Sequence, residues 1–158
     1  VIGDGKLGIL CAQAMALASK NACIIGKHKD KMKVAEVKGV EGILLADVDK
    51  LSRNFDVVVE ASGSESGFAT ALDLLKRGKL VLKSPFQGKT NLEMWRVVVD
   101  EISIIGSRCG RFAPALELLR DGKIDVESFI SEDYKLEKGV EAIKKAQEKG
   151  VMKVLLTP

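Results

Sequence analysis

Apolar residues along the chain follow two alternating patterns. Short apolar runs occur at Cys23–Ile25, Gly42–Leu45, Phe55–Glu60, Leu80–Leu82 and Ile102–Ile105. Their length and β-branched content predict buried strands. Between them, apolar positions three and four apart predict helices with one inward face. These helices cover Leu7–Ser19 (inward Leu7, Leu10, Cys11, Ala14, Leu17 and Ala18), Asp30–Lys38, Ser66–Lys76 (inward Phe68, Ala71, Leu72 and Leu75) and Arg111–Arg120. An amphipathic stretch follows at Leu136–Lys149, and Val151–Leu156 closes the chain as a strand. Asp47–Leu51 is one helical turn, Arg77-Gly78-Lys79 and Gly122–Asp125 are turns, and Asn91–Asp100 has a mixed period that leaves its class open. Strands alternating with helices predict an α/β fold, a doubly wound parallel sheet with right-handed crossovers.

Composition narrows the class without adding chemistry. With 158 residues, 46% of them hydrophobic and 30% charged, the chain is expected to form a single globular domain over residues 1–158. No apolar run reaches the ~18 residues of a membrane span, and no signal peptide is recognisable. A net charge of +3, with one Trp and one Tyr, gives no basic or stacking surface for nucleic acid. Cys11, Cys23 and Cys109 are far apart and His28 is the only histidine, so no metal-ligand spacing exists. Isolated thiols fit a reducing, cytoplasmic setting.

The first eight residues carry the chemistry. Gly3, Gly5 and Gly8 form G-x-G-x-x-G, and Lys6 and Leu7 open the helix that follows. Gly3 permits a tight turn, Gly5 lets the backbone approach a pyrophosphate, and Gly8 lets helix and strand pack closely. The helix start offers free N–H groups and a positive dipole end to the phosphates. With the run at Cys23–Ile25 this makes a β-α-β unit, the start of a Rossmann dinucleotide-binding fold. An acid at the end of the second strand would accept the ribose hydroxyls of NAD, whereas basic groups there receive the 2′-phosphate of NADP. Gly26-Lys27-His28 stands at that point, and Lys27, His28 and Lys31 are candidates for a 2′-phosphate pocket; the alternative is a solvated basic turn. Ala61, Ser62 and Gly63 follow another strand at its carboxyl end, where ligands lie in open α/β sheets. Only Val1 and Ile2 precede the first glycine, fewer than the ~5–6 residues of a usual strand, so the chain reads as a fragment.

The order of these features resembles the cofactor half of the medium-chain, zinc-type alcohol dehydrogenases, including threonine and polyol dehydrogenases. The residues that carry it are Gly3–Gly8, Phe55–Gly63, Ile104–Ser107, Ala115–Leu119 running into Asp121–Asp125, Tyr134–Ile143 and Lys153–Leu156. The resemblance implies hydride transfer from an alcohol to NADP or NAD, with zinc polarising the alcohol oxygen. It also implies that the zinc ligands and substrate pocket belong to an N-terminal catalytic domain absent here, so that the fragment alone would be inactive. Lys27-His28 departs from the NAD-type members and favours NADP. By the same resemblance, Ser84 and Pro85 pass the nicotinamide side, Lys153 reaches the pyrophosphate, and Arg108, Cys109 and Arg111 lie near substrate or a partner subunit. Edge-to-edge pairing of the sixth strands implies a homodimer or larger. Two other readings stay open. One is a non-catalytic nucleotide-sensing module. The other is a methyltransferase, disfavoured because Lys27-His28 offers no acid.

Overall fold

The computed structural model describes residues 1–86 and 89–158. β1 (Cys23–Gly26) pairs in parallel with β2 (Glu41–Leu44), and β3 (Phe55–Glu60), β4 (Leu75–Leu82) and β5 (Ile102–Gly106) pair in parallel in the order β3-β4-β5. Residues 1–3 fill the lane between these two groups. Ile2 bridges Ile25 on one side and Glu60 on the other, both in parallel. Its N–H donates to the Val59 carbonyl at 2.8 Å, and its carbonyl accepts from Ala61 N–H at 2.9 Å. The lanes therefore run β2-β1-(1–3)-β3-β4-β5, and strand order reverses between residues 1–3 and β3. In a doubly wound sheet that reversal opens a crevice at the carboxyl ends of the strands.

Both faces of β1 are covered, since adjacent strand residues point to opposite sides and all four of its residues are buried. Ile24 packs with Ile9 and Ala12 of α1 (Lys6–Ala16) and with Met32 and Ala35 of α2 (Lys29–Glu36). Ile25, one residue on, packs with Phe68, Ala71 and Leu72 of α3 (Glu65–Leu74) and with Leu80 and Ile102. Ile9, Ile24, Ile25, Met32 and Leu80 are fully buried, each such side chain contributing about 1.5–3 kcal/mol.

Several elements differ from their sequence reading. α1 buries Gly8, Ile9, Ala12 and Gln13, while Leu7 and Leu17 are exposed. Its phase is set by Gly8, which must face the sheet, and not by the leucine spacing. The predicted turn at Arg77-Gly78-Lys79 is strand: α3 ends at Leu74 and β4 begins at once with Leu75. Gly78 sits at φ +142°, where an added Cβ would overlap the Asp56 carbonyl of β3. The open stretch contains α4 (Met94–Val99), and α5 spans Phe112–Arg120 without one buried residue. The predicted helix at Leu136–Lys149 is a 3-10 turn at Leu136–Lys138 followed by α6 (Gly139–Ala146).

A strand missed by the sequence reading, β6 (Ile130–Lys135), pairs in parallel with β7 (Lys153–Thr157) as a two-stranded sheet of their own. This tail is tied to α1. Phe129 joins the cluster around Ile9 and Ala12, with Met152 packed against it. The buried Gln13 side chain accepts from Asp125 N–H at 2.6 Å and donates to the Asp125 carbonyl at 3.1 Å.

Candidate functional site

The glycine loop turns from the first lane into α1, and its glycines answer three different demands. Gly3 has φ +111°, and a Cβ there would lie 2.9 Å from Ala61 C and Ser62 N. At Gly8 a Cβ would overlap the Gly3 carbonyl oxygen, so strand and helix touch backbone to backbone. Gly5 meets no protein atom within 4 Å of its built Cβ, and its φ of −78° is open to any residue. Nothing in the fold requires glycine there; the open space in front of it is what the residue preserves. Gly5 is also the N-cap of α1 and supplies no side-chain cap, leaving the first-turn N–H groups to a ligand or water.

A cleft of about 280 Å³ opens above the loop, between Gly3, Asp4 and Gly5 on one side, Gly26 and Lys27 at one end, and Ala61, Ser62, Ser64 and Gly67 on the other side. Its far wall is held by Glu60, which is 3% exposed. Glu60 Oε1 accepts from Ser62 N–H at 2.7 Å, from Ser62 Oγ–H at 2.5 Å and from Gly63 N–H at 3.0 Å. One carboxylate thus folds the Ala61–Gly63 turn over the strand end. Ser64 caps α3, its Oγ accepting from Gly67 N–H at 3.1 Å. Ser84 and Pro85 lie against Gly63: a Cβ built there would be 3.4 Å from Ser84 Cβ and 3.5 Å from the Pro85 carbonyl oxygen.

At the β1 end the decisive side chain is Asp4. Its Oδ2 accepts from Lys27 N–H at 2.8 Å, from His28 N–H at 2.6 Å, and meets His28 Nδ1 at 3.0 Å. Gly26 makes this reach possible, since a Cβ there would overlap the Asp4 side chain. Burial pushes the Asp4 carboxyl upward, but the backbone and ring hydrogen bonds from His28, its charge, and the Lys27 amide outweigh it and hold the group below the ordinary carboxylate value. Asp4 is therefore ionised at neutral pH.

The structure brings together most of the residues selected from sequence. Gly3, Gly5, Lys27, Ala61 and Ser62 line the cleft. Lys6, Leu7 and Gly8 form the first turn of α1 below it, and Gly63, Ser84 and Pro85 lie together at the neighbouring strand ends. His28 is drawn to Asp4, while Lys31 lies in the first turn of α2 and is not among the cleft-lining residues. Lys153 begins β7 in the second sheet and is likewise not among the cleft-lining residues. The sequence reading missed Asp4, Glu60, Gly26 and Ser64. The signals were present: a lone acid inside the phosphate loop, and a charged residue closing the apolar run Phe55–Val59.

No family model matches the chain. Over its whole length it is 30% identical to a sorbitol dehydrogenase of Halalkalibacterium halodurans, of which it covers 51%. Among solved structures, a zinc-binding dehydrogenase of Sinorhizobium meliloti 1021 bound to NADP superposes with TM-score 0.87 at 24% identity, covering 99% of this chain and 51% of that one. A protein of Escherichia coli CFT073 described as a short chain alcohol dehydrogenase, complexed with NADH, gives 0.85 at 19%, covering 99% and 51%. The chain is similar over its whole length to one half of the medium-chain, zinc-type alcohol and polyol dehydrogenases. It spans about half the length of the curated dehydrogenases it matches, and its Rossmann sheet is the one these structures share. Among the described residues, no three His, Cys, Asp or Glu side chains come together as a metal site. No helix among them is long and apolar enough to cross a membrane.

Proposed function

We propose that this chain is the nicotinamide-dinucleotide-binding part of an alcohol dehydrogenase, whose cofactor accepts hydride from an alcohol carbon. The observation that carries the reading is the space in front of Gly5. The fold leaves it empty and bounds it by the uncapped start of α1, so that a Cβ would fill the seat of a pyrophosphate. The bound cofactor supplies the redox chemistry; the residues here bind and orient it. In this reading the N–H groups of Lys6, Leu7 and Gly8 face the pyrophosphate. Ala61, Ser62 and Gly63 flank the ribose, held by Glu60, and Ser84 with Pro85 borders the nicotinamide side.

Lys27 in the cleft wall and His28 beside it bring basic groups to the adenosine end, which suits the 2′-phosphate of NADP. Lys31 would join them from the first turn of α2 only by reaching in from outside the cleft lining. NADP is the cofactor of the S. meliloti structure, whereas the E. coli structure holds NADH. Lys153 would act on the pyrophosphate only if the tail closes towards the loop. Among the described residues no three potential ligands gather to hold zinc, and in this reading catalytic zinc and the alcohol pocket are supplied by the rest of the parent protein. We read residues 1–158 as one dinucleotide-binding unit of a cytoplasmic enzyme, in keeping with its free Cys11, Cys23 and Cys109. The apolar edge strand β5, with Ile104 and Ile105 more than a third exposed, supports dimer formation edge to edge; a monomer by light scattering at micromolar concentration would count against that.

Calorimetric titration of the chain with NADPH and with NADH tests the function. Saturable 1:1 binding of at least one supports it. No binding of either at millimolar concentration overturns it.

A further inference from the structure

The corner at the end of β1 is built to hold an anion, and it already holds one. Two consecutive main-chain N–H groups, of Lys27 and His28, converge with the His28 ring nitrogen on a single oxygen, Asp4 Oδ2. Consecutive N–H groups of this kind form an anion-receiving concavity. The corner opens onto the cleft, because Asp4, Gly26 and Lys27 are all among its lining residues. It also lies at the strand end where a ribose 2′-substituent is recognised in this fold. Gly26 and Asp4 are a matched pair, since only a residue without Cβ leaves room for the loop carboxylate to cross.

We propose that Asp4 is a specificity-determining residue: its carboxylate occupies the corner that would receive the 2′-phosphate, so that NADP must displace it while NAD need not. The inference rests on the dinucleotide reading above. An acid selective for a ribose hydroxyl ordinarily stands on the strand itself; here the charge comes from the phosphate loop and fills the N–H corner from inside. A phosphate entering the corner loses affinity in proportion to the small fraction of molecules in which the carboxylate has swung out. If it enters without displacing Asp4, the two anions repel. Lys27 and His28 attract the 2′-phosphate, Asp4 opposes it, and the balance sets selectivity.

The test uses the 158-residue chain, wild type and Asp4→Asn, titrated with NADPH and NADH, and with adenosine 2′,5′-bisphosphate and AMP as probes of the adenosine end alone. Asparagine keeps the size of the side chain and an oxygen that accepts from the Lys27 and His28 amides, but removes the charge. The expected result is a NADPH-to-NADH affinity ratio at least about tenfold higher in Asp4→Asn. The rise should come from tighter NADPH binding, with NADH changed less than about threefold. Adenosine 2′,5′-bisphosphate should follow NADPH, and AMP should follow NADH. An unchanged or lower ratio overturns the inference and leaves Asp4 as a cap for the start of α2. In the wild type, the amide resonances of Lys27 and His28 should move on adding the bisphosphate and not on adding AMP; equal responses to both probes also overturn it. A wild-type chain that binds neither dinucleotide sinks the dinucleotide reading itself. Binding with a flat ratio sinks only the role of Asp4.

Discussion

Two alanine substitutions, three residues apart in the same motif, separate what the glycine loop does for the fold from what it does for a ligand. In Gly8→Ala the new methyl overlaps the Gly3 carbonyl oxygen. Both partners are backbone, so relief requires α1 to move off the sheet and to loosen Ile9 and Ala12, which are both fully buried. Overpacking against rigid neighbours costs about 1–3 kcal/mol, and a direct backbone overlap belongs at or above the upper end. For a domain of this size that is a fall in Tm of about 6–12 °C. In Gly5→Ala the methyl meets nothing within 4 Å and φ is −78°, so the only stability cost is the weaker N-cap preference of alanine, below about 1 kcal/mol. The same methyl stands where phosphate oxygens must touch the loop, and should weaken dinucleotide binding at least about 30-fold, or 2 kcal/mol. Thermal unfolding followed by circular dichroism, with calorimetric titration of each variant, reads both quantities. If Gly5→Ala binds as wild type while keeping its Tm, the open space is not a phosphate seat. If Gly8→Ala melts with the wild type, the close packing of α1 on the sheet is wrong.

Gln13→Met preserves volume but leaves the Asp125 N–H and carbonyl without the partners they have at 2.6 and 3.1 Å. The expected cost is about 2–4 kcal/mol by urea unfolding, and a loss under 0.5 kcal/mol would mean that water replaces the amide freely. Acid unfolding should report Asp4 and Asp125. Asp4 is held down by its His28 and Lys27 hydrogen bonds against burial, and Asp125 chiefly by the Ser128 hydroxyl. A carboxyl depressed on folding adds stability that is complete above its unfolded value of 3.8 and is lost as pH falls through the lower folded value. Asp4→Asn should therefore flatten the decline in stability below pH 4 while changing its slope little between pH 5 and 7. A variant as acid-sensitive as the wild type would show that Asp4 is not depressed.

What could be read from the sequence was what local spacing dictates. The runs at Cys23–Ile25, Phe55–Glu60 and Ile102–Ile105 are strands, and Phe68, Ala71 and Leu72 face inward, because short β-branched runs favour a pleated sheet and apolar residues at helical spacing favour one buried face. The phase of α1 was misread because eight apolar residues in an eleven-residue helix permit several inward stripes; only the glycine contact with the sheet chooses among them. β6 escaped because Ser131, Glu132, Asp133 and Lys135 are exposed and carry no hydrophobic signal; it is held by pairing with β7. The α3–β4 junction escaped because Arg77-Gly78-Lys79 has turn composition, while Gly78 is there for the close approach of Asp56.

The Asp4 and Gln13 contacts show the same limit from the functional side. Asp4 meets residues 23 and 24 positions away, and Gln13 meets one 112 positions away. Each is a polar side chain whose partners are main-chain groups, which leave no trace in residue type at the other end. Both contacts converge on one helix: Asp4 lies in the loop that starts α1, and Gln13 is buried on the face that α1 turns to the tail. The helix that would hold the cofactor's phosphates is therefore also the element that anchors residues 125–129. If α1 is a rigid link between them, loosening the Gln13 clamp should weaken NADPH and NADH by the same factor. Neutralising Asp4 should change their ratio. Common loss belongs to the pyrophosphate seat, and differential change to the 2′ corner. A Gln13→Met variant that altered the ratio, or an Asp4→Asn variant that weakened both cofactors equally, would mean that the two ends of the site are not the independent parts their contacts make them.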